Sequence, residues 1–176
     1  FATLDIRQDS RIHNEVFTNI TEQLIASGSS SLPENYNELD EAEQIDILAT
    51  LDEDISADQF EDELVFKTIG SIEAIKKIQQ NNGEKGANRY IISNNQSALN
   101  VMQVFAMLKM TAFKKELSVD IVPLFETVDD LVNSAGIMDQ LYSNKEYRAH
   151  VKSRNNKQTI MLGFSDGTKD GGYLMA

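Results

Sequence analysis

Residues 89–126 read RYIISNNQSALNVMQVFAMLKMTAFKKELSVDIVPLFE, and the order of patterns in this stretch decides the fold. Arg89 to Ser93 is a short run rich in β-formers, which predicts a strand. The spacing then predicts a helix over Gln96 to Lys115, apolar nearly all round (Leu99, Val101, Met102, Val104, Phe105, Leu108, Met110) and therefore buried. Val119 to Glu126 reads as a second strand, with Pro123 as a conflict because proline removes a ladder donor. A local irregularity is expected there.

The same alternation extends both ways. Upstream, Phe1 to Arg7 reads as a strand. A helix opened by the cap Asp9-Ser10 follows, with Ile12, Val16, Ile20 and Leu24 at steps of four and a stop near Gly28. Ser29 to Pro33 is a serine-rich loop. From Asn35 to Asp58 the chain is strongly acidic and reads as a solvated face, with a short helix over Glu41 to Thr50 carrying Ile45, Ile47 and Leu48. A longer helical stripe runs from Phe60 through Leu64, Val65, Ile69, Ile72, Ile75 and Ile78 to a polar stop at Gly83. Downstream, helices are expected over Asp129 to Tyr142 and Glu146 to Lys152. Thr159 to Phe164 reads as a last strand ending in a glycine-rich turn. Four strands with helices between them make an α/β protein with a parallel sheet buried on both faces.

Composition narrows the function classes. The 176 residues suit one domain, and 41% hydrophobic against 25% charged residues is a globular composition. Sixteen Lys and Arg stand against 28 Asp and Glu, a net charge of −12. Such a surface repels phosphate backbones, so nucleic acid and anionic membrane are poor partners. No cysteine is present, which removes disulfides, thiolate metal sites and thiol catalysis and fits a cytoplasmic location. No run approaches a membrane span, and no signal peptide is expected. Both ends read as cut from a longer chain.

In a parallel α/β protein, ligands gather beyond the C-terminal ends of the strands. By this reading those ends deliver Arg7-Gln8, Ser93-Asn94, Glu126-Thr127, and Ser165-Asp166 followed by Lys169-Asp170. Two carboxylates with basic groups beside them suit a hard divalent cation and an anionic substrate. Each has a plainer reading: Glu126 or Asp166 as a helix cap, Lys169 as a surface charge, Arg7 as a partner of the acidic excess. His13 and His150 read as surface or packing residues, and the methionines as core. The acidic stretch lacks calcium-loop spacing, and no Ser/His/Asp set, Walker loop or dinucleotide fingerprint is visible.

Several stretches then resemble, in order, the phosphoenolpyruvate carboxylase family. They are Leu4-Asp5-Ile6-Arg7-Gln8-Asp9-Ser10-Arg11-Ile12-His13, Tyr90-Ile91-Ile92-Ser93, and Val122-Pro123-Leu124-Phe125-Glu126-Thr127-Val128-Asp129-Asp130-Leu131. Tyr147-Arg148-Ala149-His150 and Met161-Leu162-Gly163-Phe164-Ser165-Asp166-Gly167-Thr168-Lys169-Asp170 continue the match. The resemblance implies that residues 1–176 are a single fragment of a (β/α)8 TIM-type barrel catalytic domain, about four of its strands. It implies Mg2+ or Mn2+ held by Glu126 and Asp166. Arg7 and Lys169 are implied as catalytic and substrate-binding groups, and Met161 as a neighbour of phosphoenolpyruvate. Phe164 and Gly167 depart from the family's usual Tyr and Ser, and Asn155-Asn156-Lys157 reads as a short insertion.

The implied reaction joins phosphoenolpyruvate and bicarbonate. Bicarbonate attacks the phosphoryl group to give carboxyphosphate and the enolate of pyruvate, and carbon dioxide then adds to the enolate to form oxaloacetate. The family's catalytic histidine and glycine-rich arginine loop are implied outside this segment, so the chain alone is expected to be inactive. A homo-oligomer is implied for the parent. Half a barrel leaves two open sheet edges, which predicts self-association or covered edges. Two other readings remain open: another metal-dependent barrel lyase acting on pyruvate or a similar acid, and a non-catalytic acidic α/β binding module.

Overall fold

In the computed structural model, which describes residues 4–174, four parallel strands lie side by side in chain order. Strand β1 covers Asp5–Asp9, β2 Arg89–Ser93, β3 Asp120–Phe125 and β4 Met161–Leu162. The connections are helical: α1 (Ser10–Ala26), α2 (Glu41–Thr50) and α3 (Glu63–Asn82) before β2, α4 (Ala98–Thr111) before β3, α5 (Val128–Ser143) and α6 (Lys145–Ser153) before β4, and α7 (Phe164–Gly171) after it. This alternation of parallel strands and helices is the architecture of a partial (β/α)8 barrel.

Local chemistry sets the boundaries. The Asp9 carboxylate accepts from the Arg11 N–H and starts α1. Asp40 and Glu43 cap each other's backbone at α2, and Asp62 accepts from the Leu64 and Val65 N–H groups at α3. Such caps satisfy donors that the first turn of a helix leaves unpaired.

The two faces of the sheet differ. Tyr90, Ile92, Ile121 and Phe125 point toward the helices and join the main core with Val101, Met102, Phe105 and Leu108 of α4. Ile91, Val122 and Leu124, with Met161 against them, form a separate apolar cluster. Side chains in register on parallel strands share a face, so Arg7, paired across with Ile91 and through it with Val122, stands with this second cluster.

Several boundaries depart from the sequence expectation. The first strand runs to Asp9 rather than Arg7, and its expected residues 1–3 lie outside the described residues. Phe60 belongs to a separate short turn ahead of α3, and α4 is shorter at both ends than Gln96 to Lys115. The last strand shrinks to two residues, because the Gln158 side-chain amide donates to the Ile121 carbonyl at 2.8 Å where a ladder would otherwise begin. The expected glycine-rich turn is instead the helix α7. Pro123 stays in β3: pairing with β2 runs through it, and pairing with β4 starts at Leu124. The acidic residues of 38–58 lie largely in solvent, as expected. No helix among the described residues is long and apolar enough to cross a membrane.

Candidate active site

Arg7 and Glu126 meet although 119 residues separate them. The Arg7 Nη2 donates to Glu126 Oε1 at 2.8 Å, the arginine side chain half exposed and the glutamate 22% exposed. Arg7 is mid-strand in β1, two residues before its end, and reaches past β2 to a carboxylate just beyond the end of β3.

The backbone around Glu126 is tightly held. Asp130, buried in the first turn of α5, accepts with Oδ2 from the Glu126 and Thr127 N–H groups at 3.1 and 3.0 Å. The Thr127 hydroxyl accepts in return from the Asp130 N–H at 3.1 Å. These bonds fix the turn that presents Glu126. The Thr127-x-x-Asp130 spacing carries this signal in the sequence as a reciprocal helix cap, though the spacing alone does not place Asp130 at the site.

Asp166 and Lys169 both lie on α7 and are exposed, with Lys169 Nζ 3.6 Å from Asp166 Oδ1 across one helical turn. Met161, at the start of β4, rests half-buried on Ile91, Val122 and Leu124. The expected residues therefore fall into two contacting pairs, Arg7–Glu126 and Asp166–Lys169, with Met161 on the apolar floor. Among the described residues no group of three or more His, Cys, Asp and Glu is gathered as a metal site.

Two further residues join the pairs. The Gly163 N–H donates to the Phe125 carbonyl at 2.8 Å, which carries the β3–β4 ladder one step past Leu162 and sets Gly163 beside Glu126. Asp170 Oδ2 accepts from the Val128 N–H at 2.9 Å, tying α7 to the start of α5. Asp170 is among the residues the sequence places at this end of the sheet, without a role; Gly163 has no place there in the sequence reading.

Both histidines are packing residues. His13 is fully buried with Nε2 3.0 Å from the Tyr90 hydroxyl, and burial pushes its pKa down to about 4 against a smaller upward pull from Asp9. His150 packs against Phe105 and Tyr147, and burial, with the Arg154 charge, lowers it to about 4 as well.

A guanidinium, carboxylates and an apolar floor stand at one end of a parallel sheet. The sequence pattern of the family described as Phosphoenolpyruvate carboxylase matches residues 1–176. The chain belongs to the phosphoenolpyruvate carboxylase family. It is 34% identical to a phosphoenolpyruvate carboxylase of Nitrosomonas europaea over 98% of this chain and 19% of that protein. It is 32% identical to that of Nitrosomonas eutropha over 98% of this chain and 19% of the relative. A third relative, from Corynebacterium diphtheriae, is 33% identical over 99% of this chain and 20% of its own length. The chain thus spans about a fifth of the phosphoenolpyruvate carboxylases it matches.

Proposed function

We propose that residues 1–176 form one segment of a barrel catalytic domain and supply the metal carboxylates and part of the substrate pocket of a phosphoenolpyruvate carboxylase. The reaction joins phosphoenolpyruvate and bicarbonate into oxaloacetate and phosphate. The observation that carries this reading is the Arg7–Glu126 contact across the sheet, within a chain of this family.

The donor set fits Mg2+ or Mn2+. Glu126 and Asp166 offer only hard oxygen atoms, and one or two carboxylates are the usual protein share for Mg2+, with substrate oxygens and water completing the shell. When bound, such a cation supplies Lewis-acid stabilisation of negative charge on substrate oxygens. Arg7 is paired with Glu126, and with that carboxylate engaged elsewhere its guanidinium would be available to an anionic group. A guanidinium matches phosphate or carboxylate oxygens with two parallel bonds. Lys169, exposed and paired with Asp166, would offset further negative charge on the substrate. Met161, with Ile91, Val122 and Leu124, gives the site an apolar floor, and low-dielectric surroundings strengthen such interactions.

The isolated chain is proposed to be inactive, its partner residues lying elsewhere in a homo-oligomeric cytoplasmic enzyme. The test is oxaloacetate formation, read by coupled reduction to malate, in a full-length carboxylase that carries this segment. Glu126→Gln and Asp166→Asn are each expected to lower kcat/KM by at least about 100-fold, the loss typical of removing one charge-stabilising group. Full activity in either variant contradicts the proposal, as does oxaloacetate formation by the isolated chain.

A further inference from the structure

Resting on the metal reading above, we propose that Gly163 and Asp170 are positioning residues that clamp the Asp166–Lys169 turn against Glu126, so that two carboxylates from separate elements face one cation. A Cβ at position 163 would meet the Glu126 Cγ at 2.9 Å, its Cα at 3.1 Å and its Cβ at 3.2 Å. All three atoms belong to one residue. Gly163 has φ −84° and ψ 75°, on the negative-φ side open to any L-residue. The absent side chain is therefore needed for Glu126 and not for the turn. Because Gly163 extends the ladder beside Glu126, a side chain there would share its face, press on the Glu126 backbone and the base of its side chain, and so move the carboxylate.

Asp170 acts from the other end of α7. Its Oδ2 takes the Val128 N–H, one of the donors that the first turn of α5 leaves free. The bond joins α5 and α7 across 42 residues, so it is a tether between elements, unlike a local cap. The segment from Gly163 to Asp170 is thus pinned at one end to Phe125 and at the other to Val128, on either side of the Glu126 turn, with Asp166 between the pins. Asp130 holds the same turn from below through the Glu126 and Thr127 N–H groups. Carboxylates in a two-ligand site have few protein bonds to fix their separation, so such outer contacts set it.

The experiment is Mn2+ binding by electron paramagnetic resonance in a full-length carboxylase carrying this segment, beside thermal melting and the KM for Mn2+. Gly163→Ala and Asp170→Ala are each expected to weaken Mn2+ binding by about 10- to 100-fold, the span typical of residues that orient metal ligands. KM for Mn2+ rises in step, while kcat at saturating metal falls less. Asp170→Asn keeps an acceptor oxygen and is expected to recover most of the affinity that Asp170→Ala loses. Wild-type Mn2+ affinity in both Gly163→Ala and Asp170→Ala, with binding abolished in Glu126→Gln, overturns the clamp and leaves the metal reading standing. Unchanged binding in Glu126→Gln overturns the metal reading and the clamp with it. Loss of melting temperature alone, with unchanged affinity in the folded protein, also refutes the clamp.

Discussion

Acid should unfold this chain through its histidines before its carboxylates titrate. His13 is fully buried, its Nδ1 has no partner, and its pKa is held at about 4. Few groups bear on it: the charge of Asp9 at the α1 cap, itself held low by Arg11, and the neutral Tyr90 hydroxyl, whose pKa burial pushes up. In an unfolded chain the imidazole returns to about 6.5. Between pH 6.5 and 4 the unfolded state therefore binds more protons, so stability is full above about pH 6.5 and declines as pH falls toward 4. At 1.36 kcal/mol for each unit separating the two pKa values, the change from pH 7 to pH 5 is about 2 kcal/mol for His13. His150, at about 4, adds a similar amount. The assay is urea unfolding at pH 7, 6 and 5 for the wild type and His13→Gln. The wild type should lose about 4 kcal/mol across this range and the variant only about half of that. An unchanged pH slope in His13→Gln would refute the buried neutral imidazole.

Two other perturbations test separate parts of the structure. Arg154 is mostly buried and donates at 2.6 Å to both Asp120, at the start of β3, and Glu84, so Arg154→Met should cost about 1–3 kcal/mol by stranding Asp120. Adding Asp120→Asn should return part of this in thermal melting, and full additivity of the two changes would contradict the coupling. Leu162 on the outer edge strand β4 and Phe164 at the start of α7 are both more than 60% exposed, so the isolated chain should self-associate as concentration rises. Light scattering should show Leu162→Glu with Phe164→Glu to be monomeric, and a monodisperse wild-type monomer at all concentrations would refute edge pairing.

The elements legible in the sequence are those whose signals are local. The α2 span from Glu41 to Thr50 and the β2 span from Arg89 to Ser93 follow from cap residues and β-branched runs within a few positions. The resemblance likewise marked Arg7 and Glu126, which the fold brings into contact. What escaped depends on distant partners. The α7 segment contains Gly167 and Gly171, poor helix formers, and its far end is tied down by Asp170 on Val128. β4 is cut short by a side chain, Gln158, occupying a β3 carbonyl. Gly163 is required by a glutamate 37 positions away, a relation no local pattern carries. His13 lies close to an apolar stripe and His150 in a basic patch, and only tertiary packing decides that both are buried.

The central claim is that Glu126 and Asp166 hold one divalent cation. Mn2+ titrated into this chain and followed by electron paramagnetic resonance, beside Glu126→Gln and Asp166→Asn, tests it most directly. The account predicts saturable binding in the unmodified chain that is lost in both variants. Saturable binding that survives in either variant would contradict it.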